Sequence, residues 1–282
     1  MSSVGLTSRW MAAARAREST RADRLFDDPF AAALAGPDGL AWLRTMDLAA
    51  TTLGAGPGLF SVIRTRFFDD YLTSVMSQSR VRQIVLLAAG MDTRAFRMEW
   101  PPGTRLYELD LPEVLGAKEK LLSGTTASDT CERRTVCADL TGGSWPQALA
   151  EAGHSAEEPS LWLAEGFFLY LQDAGVHDLL DAVGAMSAPG SRLGADFINR
   201  DFLLSPSAWP FLESLSWLGS PLRFGVNEPD ALLAKHGWRA RAVQPGEPAA
   251  DYGRWPYPVP PKGVSGLPRS FLLTADRDPA EG

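Results

Sequence analysis

Residues 83–94 read Gln-Ile-Val-Leu-Leu-Ala-Ala-Gly-Met-Asp-Thr-Arg. The run 83–88 is short, apolar throughout and followed by Ala89-Gly90. This is the pattern of a strand buried on both faces, as central parallel strands are. The turn at Gly90 bares backbone N–H groups and leaves room for a ligand. Only Gly90 stands where a dinucleotide fingerprint needs three glycines, and no G-K-[ST] occurs, so a pyrophosphate ligand is disfavoured.

Working outward, the same rhythm recurs. Strands are expected at 104–109, 134–138, 161–166, 191–198, 238–243 and 269–275, most of the early ones ending in an acid or a glycine. Helices are expected between them at 112–122, 145–152, 173–186 and 228–236. An open, doubly wound, mainly parallel α/β sheet follows, whose ligands bind beyond the carboxyl ends of the strands. Upstream, 8–20, a stretch from Asp28-Pro29 to a break at Gly36–Gly39, and 59–77 read as helices, with a turn at 54–58. Residues 1–80 thus form a helical leader. Residues 201–227 interrupt the rhythm as a helical lid containing Trp209, Phe211, Leu215, Trp217, Leu218 and Phe224. The expected organisation is one domain over 1–282. The segment WPYPVPP at 255–261 reads as a rigid surface loop, the other possibility being a recognition segment.

The chain has 282 residues, 45% hydrophobic and 22% charged, with formal net charge −7. That supplies a sizeable core. It provides no basic excess to meet a nucleic-acid backbone. Of 27 basic residues only Lys118, Lys120, Lys235 and Lys262 are lysines, and arginine's planar fork suits carboxylates. Two cysteines and three histidines in no ligand spacing argue against a metal site. No signal-type apolar region or run of ~20 apolar residues appears, so a cytoplasmic protein without membrane contact is expected.

Acids at strand ends are the candidate site. Asp110 lies about 20 residues after Gly90, where a carboxylate commonly holds ribose hydroxyls. Glu108 precedes it on the same strand, with a buried arginine as its alternative partner. Asp139 could take an exocyclic amine or cap a helix. Glu165 ends an apolar strand and needs a partner. Arg64, in the helical FSVIRTRFF, could fork onto a ligand carboxylate, while Arg66 points elsewhere. Arg94 and Arg97 have salt bridges as their alternative. His154 reads as a surface residue and His236 as a helix-end residue. His177 is the one histidine placed near the pocket.

The runs LLAAGMDTRAFR, LYELDLPEVLGAKEKLL, CADL and LWLAEGFFLYL closely resemble the leucine carboxyl methyltransferase-like family of class I S-adenosylmethionine-dependent O-methyltransferases. ARARESTRADRLFDDPFA, IRTRFFDDYL and GLPRSFLLTADR resemble its bacterial small-molecule branch. The resemblance covers about residues 8–277 and implies a seven-stranded methyltransferase sheet. It implies that Arg64 binds the cofactor's methionine carboxylate. Gly90 with its neighbours Ala88, Asp92 and Arg94 packs on methionine and ribose, and Asp110, beside Glu108, holds the ribose. Asp139 and Leu140 bracket adenine, Glu165 lies near the methionyl amine, and Tyr170 faces the transfer region. Ala88 and Ala89 replace the second glycine of the members that methylate a protein tail, and Ile63 replaces a usual alanine. The first departure speaks against a protein-tail acceptor, and the second reshapes the wall beside Arg64.

The cofactor, S-adenosyl-L-methionine, leaves as S-adenosyl-L-homocysteine and carries no phosphate. One arginine and several acids therefore suit it better than a glycine-rich phosphate loop. A carboxylate acceptor is already ionised and needs no base, whereas a phenol would gain from one. Few bases are present, with Tyr170 and His177 the candidates, so a carboxylate of a small aromatic or polyketide-like molecule of secondary metabolism is expected. A phenolic hydroxyl is the alternative acceptor. The partner is an apolar small molecule, and the protein is a monomer or homodimer. A non-catalytic cofactor sensor and a protein-interaction module are the competing classes.

Overall fold

Side chains alternate across the strand that begins at Gln83, and both faces are apolar. In the computed structural model, which describes residues 3–50, 57–125, 127–128, 130–261 and 263–277, β1 (Gln83–Leu87) is buried at every position. Val85 and Leu87 enter one core and Ile84 and Leu86 the other. The remaining strands are β2 (Thr104–Asp110), β3 (Cys131–Cys137), β4 (Ser160–Ala164), β5 (Arg192–Ile198), β6 (Arg239–Val243) and β7 (Ser270–Asp276). They form one seven-stranded sheet in the order β3-β2-β1-β4-β5-β7-β6. β7 runs antiparallel to both its neighbours, and the pairs among β1–β5 are parallel. The strand order reverses between β1 and β4, so the crevice expected of such a sheet lies beyond their carboxyl ends.

Helices α1 (Ser3–Ser19), α2 (Ala31–Ala49) and α3 (Pro57–Gln78) form the leader. The break expected at Gly36–Gly39 is instead a kink within α2. Gly36 takes φ 58° and ψ −177°, and Pro37 then opens a second helical segment, where its missing N–H costs nothing. Of the turn expected over 54–58, residues 54–56 lie outside the described residues, and Pro57 already opens α3. Downstream come α4 (Arg94–Arg97), α5 (Pro112–Leu121), α6 (Trp145–Glu151), α7 (Asp173–Ala185), α8 (Arg200–Leu204), α9 (Trp209–Trp217) and α10 (Pro229–Lys235). β3 begins three residues earlier than its sequence indicates, because its charged positions Glu132–Arg134 sit on the sheet's edge strand.

Three cores result. Trp145, Trp162 and Trp238 fill the first, on one sheet face. Phe68 and Leu72 of α3 fill the second, on the other face. Trp10, Leu34, Met46, Phe211 and Leu215 join α1, α2 and α9 in a third. The segment at 201–227 does contain helices, but not all its aromatics face inward. Trp209 and Trp217 are 70% and 83% exposed, whereas Phe211 and Leu215 are buried.

His154 is also not at the surface. Its ring is buried between Tyr107 and Trp162, and Nε2 meets Ser160 Oγ at 2.9 Å. Burial pushes its pKa down from 6.5 to about 4. The unfolded chain therefore takes up the proton more readily than the folded one. This contribution to stability is fully present above about pH 6.5 and is lost as the pH falls toward 4, by on the order of 2–3 kcal/mol. His154→Phe should remove that part of the pH dependence. Denaturant midpoints measured from pH 7 to 4 for both proteins check it, and parallel curves would refute the linkage.

Candidate active site

Beyond the carboxyl ends of β1, β2, β4 and β5 lies a cavity of about 520 Å³. Its inner end is built by strand-end residues. The chain leaves β1 through Ala88 and Gly90, both with φ 51°, and Gly90 N–H donates to Asp110 Oδ2 at 2.7 Å. A Cβ on Gly90 would meet Ser8 of α1 at 3.0 Å. Glycine is thus favoured by the left-handed conformation, which Ala88 also adopts, and by the close approach of α1. Asp110 also accepts from Leu111 N–H at 2.7 Å. Burial still raises its pKa, because those two N–H bonds only partly offset desolvation. Asp139 is exposed on the cavity wall and accepts from Thr141 N–H at 2.8 Å, an Asx turn rather than a helix cap. Leu140 is buried beside it.

Behind this wall is a buried charge network. Arg94 commits all three nitrogens. Nε bonds Asp69 at 2.7 Å, Nη1 bonds Asp92, and Nη2 reaches Glu165 at 2.9 Å. Arg64 bonds Glu165 and Asp196 at 3.0 Å each, and its Nη2 has only Met11 Sδ at 3.4 Å. Phe60, one helical turn earlier on α3, lies under its guanidinium at 5.5 Å. Gly166 makes room for this arginine, since a Cβ there would stand 2.9 Å from Arg64 Nη1. Arg97 shares Asp69 at 2.8 Å. Three guanidinium groups thus meet four carboxylates. Burial works against each charge. The arginines nonetheless hold Asp92 down at about 2 and keep Glu165 below the ordinary carboxylate range. Asp196, where burial outweighs Arg64, is raised.

The sequence-selected residues therefore separate. Arg64, Ala88, Gly90, Asp92, Asp110, Asp139, Leu140, Glu165 and Tyr170 line the cavity. Arg94 does not. It stands behind the wall with each of its three nitrogens facing an acid, the salt-bridge alternative realised. Glu108 does not line the cavity either. It is fully buried and holds Lys118 Nζ at 2.6 Å and Arg133 at 2.8 Å. His177 stays off the cavity on α7. Its Nδ1 meets His236 Nε2 at 2.8 Å, and His236 meets Asp181 at 2.6 Å. The reason is its place on α7, whose inward positions are Val176, Leu179, Leu180 and Val183. Arg66 turns outward to Asp70 at 2.9 Å.

Sequence reading missed several groups. Asp69 and Asp196 sit opposite arginines distant in the chain, and only their inward register in α3 and β5 marks them. The outer half of the cavity is walled by Phe202, Phe211, Leu215 and Leu222, and by the proline-rich segment through Trp255 and Tyr257. That segment is a wall of the cavity, not a free surface loop. Arg223 also lines it, with its backbone N–H on Leu169 O at 2.8 Å, one residue before Tyr170. Its guanidinium is exposed and makes no ion pair among the described residues. No histidine and no lysine is among the described residues that line the cavity.

Removing the Arg94 charge takes from Asp92 its guanidinium partner and from Asp69 and Glu165 one of two. Arg94→Met should cost about 3–5 kcal/mol by urea denaturation, and Arg94→Lys less. A loss under about 1 kcal/mol for the methionine variant would show that the acids do not depend on this arginine.

The family model of leucine carboxyl methyltransferase matches residues 8–184. A Frankia alni protein, provisionally named an S-adenosyl-L-methionine-dependent methyltransferase, is 44% identical over 97% of this chain and 95% of its own. A Streptomyces coelicolor protein named in the same way is 41% identical over 90% and 89%. Among solved structures, a DUF574-family protein of Streptomyces avermitilis superposes with TM-score 0.66 over 97% of each chain at 13% identity. A Thermobifida fusca protein, provisionally named a methyltransferase, superposes with TM-score 0.57 over 86% and 89% at 17% identity. These two likenesses bear on the fold, that of the class I methyltransferases. With its matching model and full-length relatives, the chain belongs to the leucine carboxyl methyltransferase family.

Proposed function

We propose that the protein transfers a methyl group from S-adenosyl-L-methionine to a carboxylate oxygen of a small apolar acid, aromatic or polyketide-like, releasing a methyl ester. The observation that carries this reading is the cavity's cation inventory. Among the described residues, Arg223 lines the cavity beside Leu169 without an ion pair, while Arg64 and Arg15 are held by acids and Arg269 by the carbonyls of Pro261 and Val264, and neither a histidine nor a lysine lines that space. An arginine fork recognises a carboxylate, and an ionised carboxylate needs no proton removed.

The donor set fits the cofactor. Acids outnumber arginines in the network behind the wall, which favours a ligand with an ammonium and a sulfonium. Asp110 would hold the ribose hydroxyls, Asp139 and Leu140 the adenine, and the turn at Ala88 and Gly90 the middle. Arg64 Nη2, with only a thioether as partner, would meet the carboxylate, and Glu165 with Asp92 the ammonium. When bound, the cofactor supplies an already activated methyl group. The protein's task is then alignment and exclusion of water. Arg223 orients the acceptor. Phe202, Phe211 and Leu215 of the lid dry the chamber. Burial pushes the Tyr170 phenol up to about 12, although Arg64 opposes this. At neutral pH Tyr170 therefore keeps its proton, which suits it to donate a hydrogen bond rather than to act as a base.

Incubation with labelled cofactor and a panel of aromatic acids tests the reading. Label should appear in base-labile esters, and label confined to base-stable ethers would overturn it. Between about pH 6 and 9 kcat/KM should be flat, because the carboxylate is ionised throughout. Arg223→Gln should raise the acceptor KM by roughly tenfold or more, with homocysteine-product affinity unchanged by calorimetry. Asp110→Ala should abolish that affinity, and His177→Ala should alter neither quantity. A Asp110→Ala protein that binds normally would displace the ribose site.

A further inference from the structure

The proline-rich wall of the cavity is gripped by a helix whose other turns line the same cavity. Glu18, in the last turn of α1, is 3% exposed. Its Oε1 accepts from Arg254 Nη2 at 3.0 Å and from Leu25 N–H at 2.7 Å. Arg254 Nη2 also donates to Asp23 O and stands 3.4 Å from the Asp23 carboxylate. Arg254 immediately precedes Trp255, which lines the cavity with Tyr257, and these two rings meet edge-on at 5.7 Å. Earlier in α1, Thr7, Ser8, Met11 and Arg15 line the cavity too. The seat of this helix is the turn after β1. Arg15 bonds Asp28 at 2.8 Å and donates to Met91 O at 2.5 Å, and Thr93 Oγ1 donates to Asp28 at 2.7 Å. Asp92, between Met91 and Thr93, lines the cavity. A continuous series of bonds thus runs from the turn after β1 through Arg15 and α1 to Glu18, and on through Arg254 to Trp255.

The far end of the series is strained. Tyr252, two positions before Arg254, takes φ 53°, which a residue with a bulky side chain rarely adopts. Such a conformation persists only where its surroundings hold it. Arg254 N–H closes the turn onto Asp251 O at 2.9 Å. The Arg66 guanidinium lies 5.7 Å from the centre of the Tyr252 ring, and Arg66 Nη1 donates to Leu25 O at 2.5 Å. The segment 18–25 therefore grips this turn twice, through Arg254 and through Arg66. The Glu18–Arg254 pair is also shielded, with side chains 4% and 13% exposed, so water screens it little.

We infer that Glu18 and Arg254 are positioning residues. The pair clasps the proline-rich wall to α1, so that a cofactor seated against α1 and the turn after β1 also fixes Trp255 and Tyr257 for the acceptor. The alternative state is an unclasped wall, with the turn at 251–254 relaxed and Tyr252 out of the left-handed region. Occupancy of the inner end favours the clasped state, and the acceptor then binds better to the cofactor-loaded protein than to the empty one. The inference rests on the acceptor chamber proposed above and adds to it a coupling between its two ends.

Hydrogen–deuterium exchange of the amides in 251–259, with and without S-adenosyl-L-homocysteine, tests this without any acceptor. In the wild-type protein the product should slow these amides by roughly fivefold or more. In Arg254→Met, and in Glu18→Gln, which keeps an acceptor for Leu25 N–H, the product should still bind by calorimetry but no longer slow them. Arg254→Lys, which keeps a cation for Glu18, should recover part of the effect. Each variant is compared with itself, loaded and empty, so a general loss of stability cannot imitate the result. Undiminished slowing in Arg254→Met and Glu18→Gln would overturn the clasp. So would the absence of slowing in the wild-type protein at saturating product. With a methylated acid in hand, Arg254→Met should raise the acceptor KM by roughly tenfold with kcat retained, and an unchanged KM would overturn the positioning role. Should no acid be methylated, the carboxylate reading fails, while the exchange result still decides for or against the clasp.

Discussion

A single buried guanidinium, that of Arg94, sets the geometry from which the rest of the site follows. It gathers an acid from α3, one from the loop after β1 and one just past β4. A buried charge is tolerated only where opposite charges face it. The loop, the helix and the strand end are therefore tied to one another through this side chain. Asp92 also accepts from Arg94 N–H at 2.7 Å, so backbone and side chain of the arginine lock the same turn. That turn then delivers Gly90 N–H to Asp110 and joins β1 to β2 beyond the sheet.

The second consequence is electrostatic. Arg64 continues the network to Asp196, and Gly166 N–H bonds the other oxygen of that acid at 2.5 Å. With carboxylates in excess, the inner end of the cavity is biased toward cations. The outer end has the opposite character, with Arg223 and Arg269 in its wall. A ligand pair with a positive inner member and a negative outer member would be drawn together across the aromatic space between, where a low dielectric strengthens the attraction.

Much of this was legible from residue order alone. β1 could be read because burial on both faces leaves no polar alternation. Asp110, Asp139 and Glu165 could be read because acids recur at the carboxyl ends of successive strands, where ligands of such sheets bind. What could not be read depended on partners far along the chain. Arg94 looked like a ligand residue because Asp69 and Glu165 lie 25 and 71 positions away. Glu108 shares a strand with Asp110, but α5 and β3 supply Lys118 and Arg133 to it before any ligand could. His154 sits in a polar stretch, and only the packing of Tyr107 and Trp162 makes it a core residue. Its counterpart His177 follows an apolar segment, yet the helical phase of α7 turns it away from the chamber toward His236. Gly36-Pro37 reads as a stop until tertiary contacts let the second half of α2 resume.

The cavity draws its wall from Thr7 and Ser8 in the first helix through to Arg269 and Ser270 at the last strand. Its closure is therefore a late event in the life of each molecule. On the ribosome, the leader emerges long before the strands it must cover, and Ser8 has no glycine turn to rest on. The parallel strands can find one another earlier, but the chamber cannot hold anything until the final strand slots between β5 and β6. Contacts of such long sequence separation form slowly. The competence to bind thus waits on β7, and a chain folded without that strand has part of a sheet but no site.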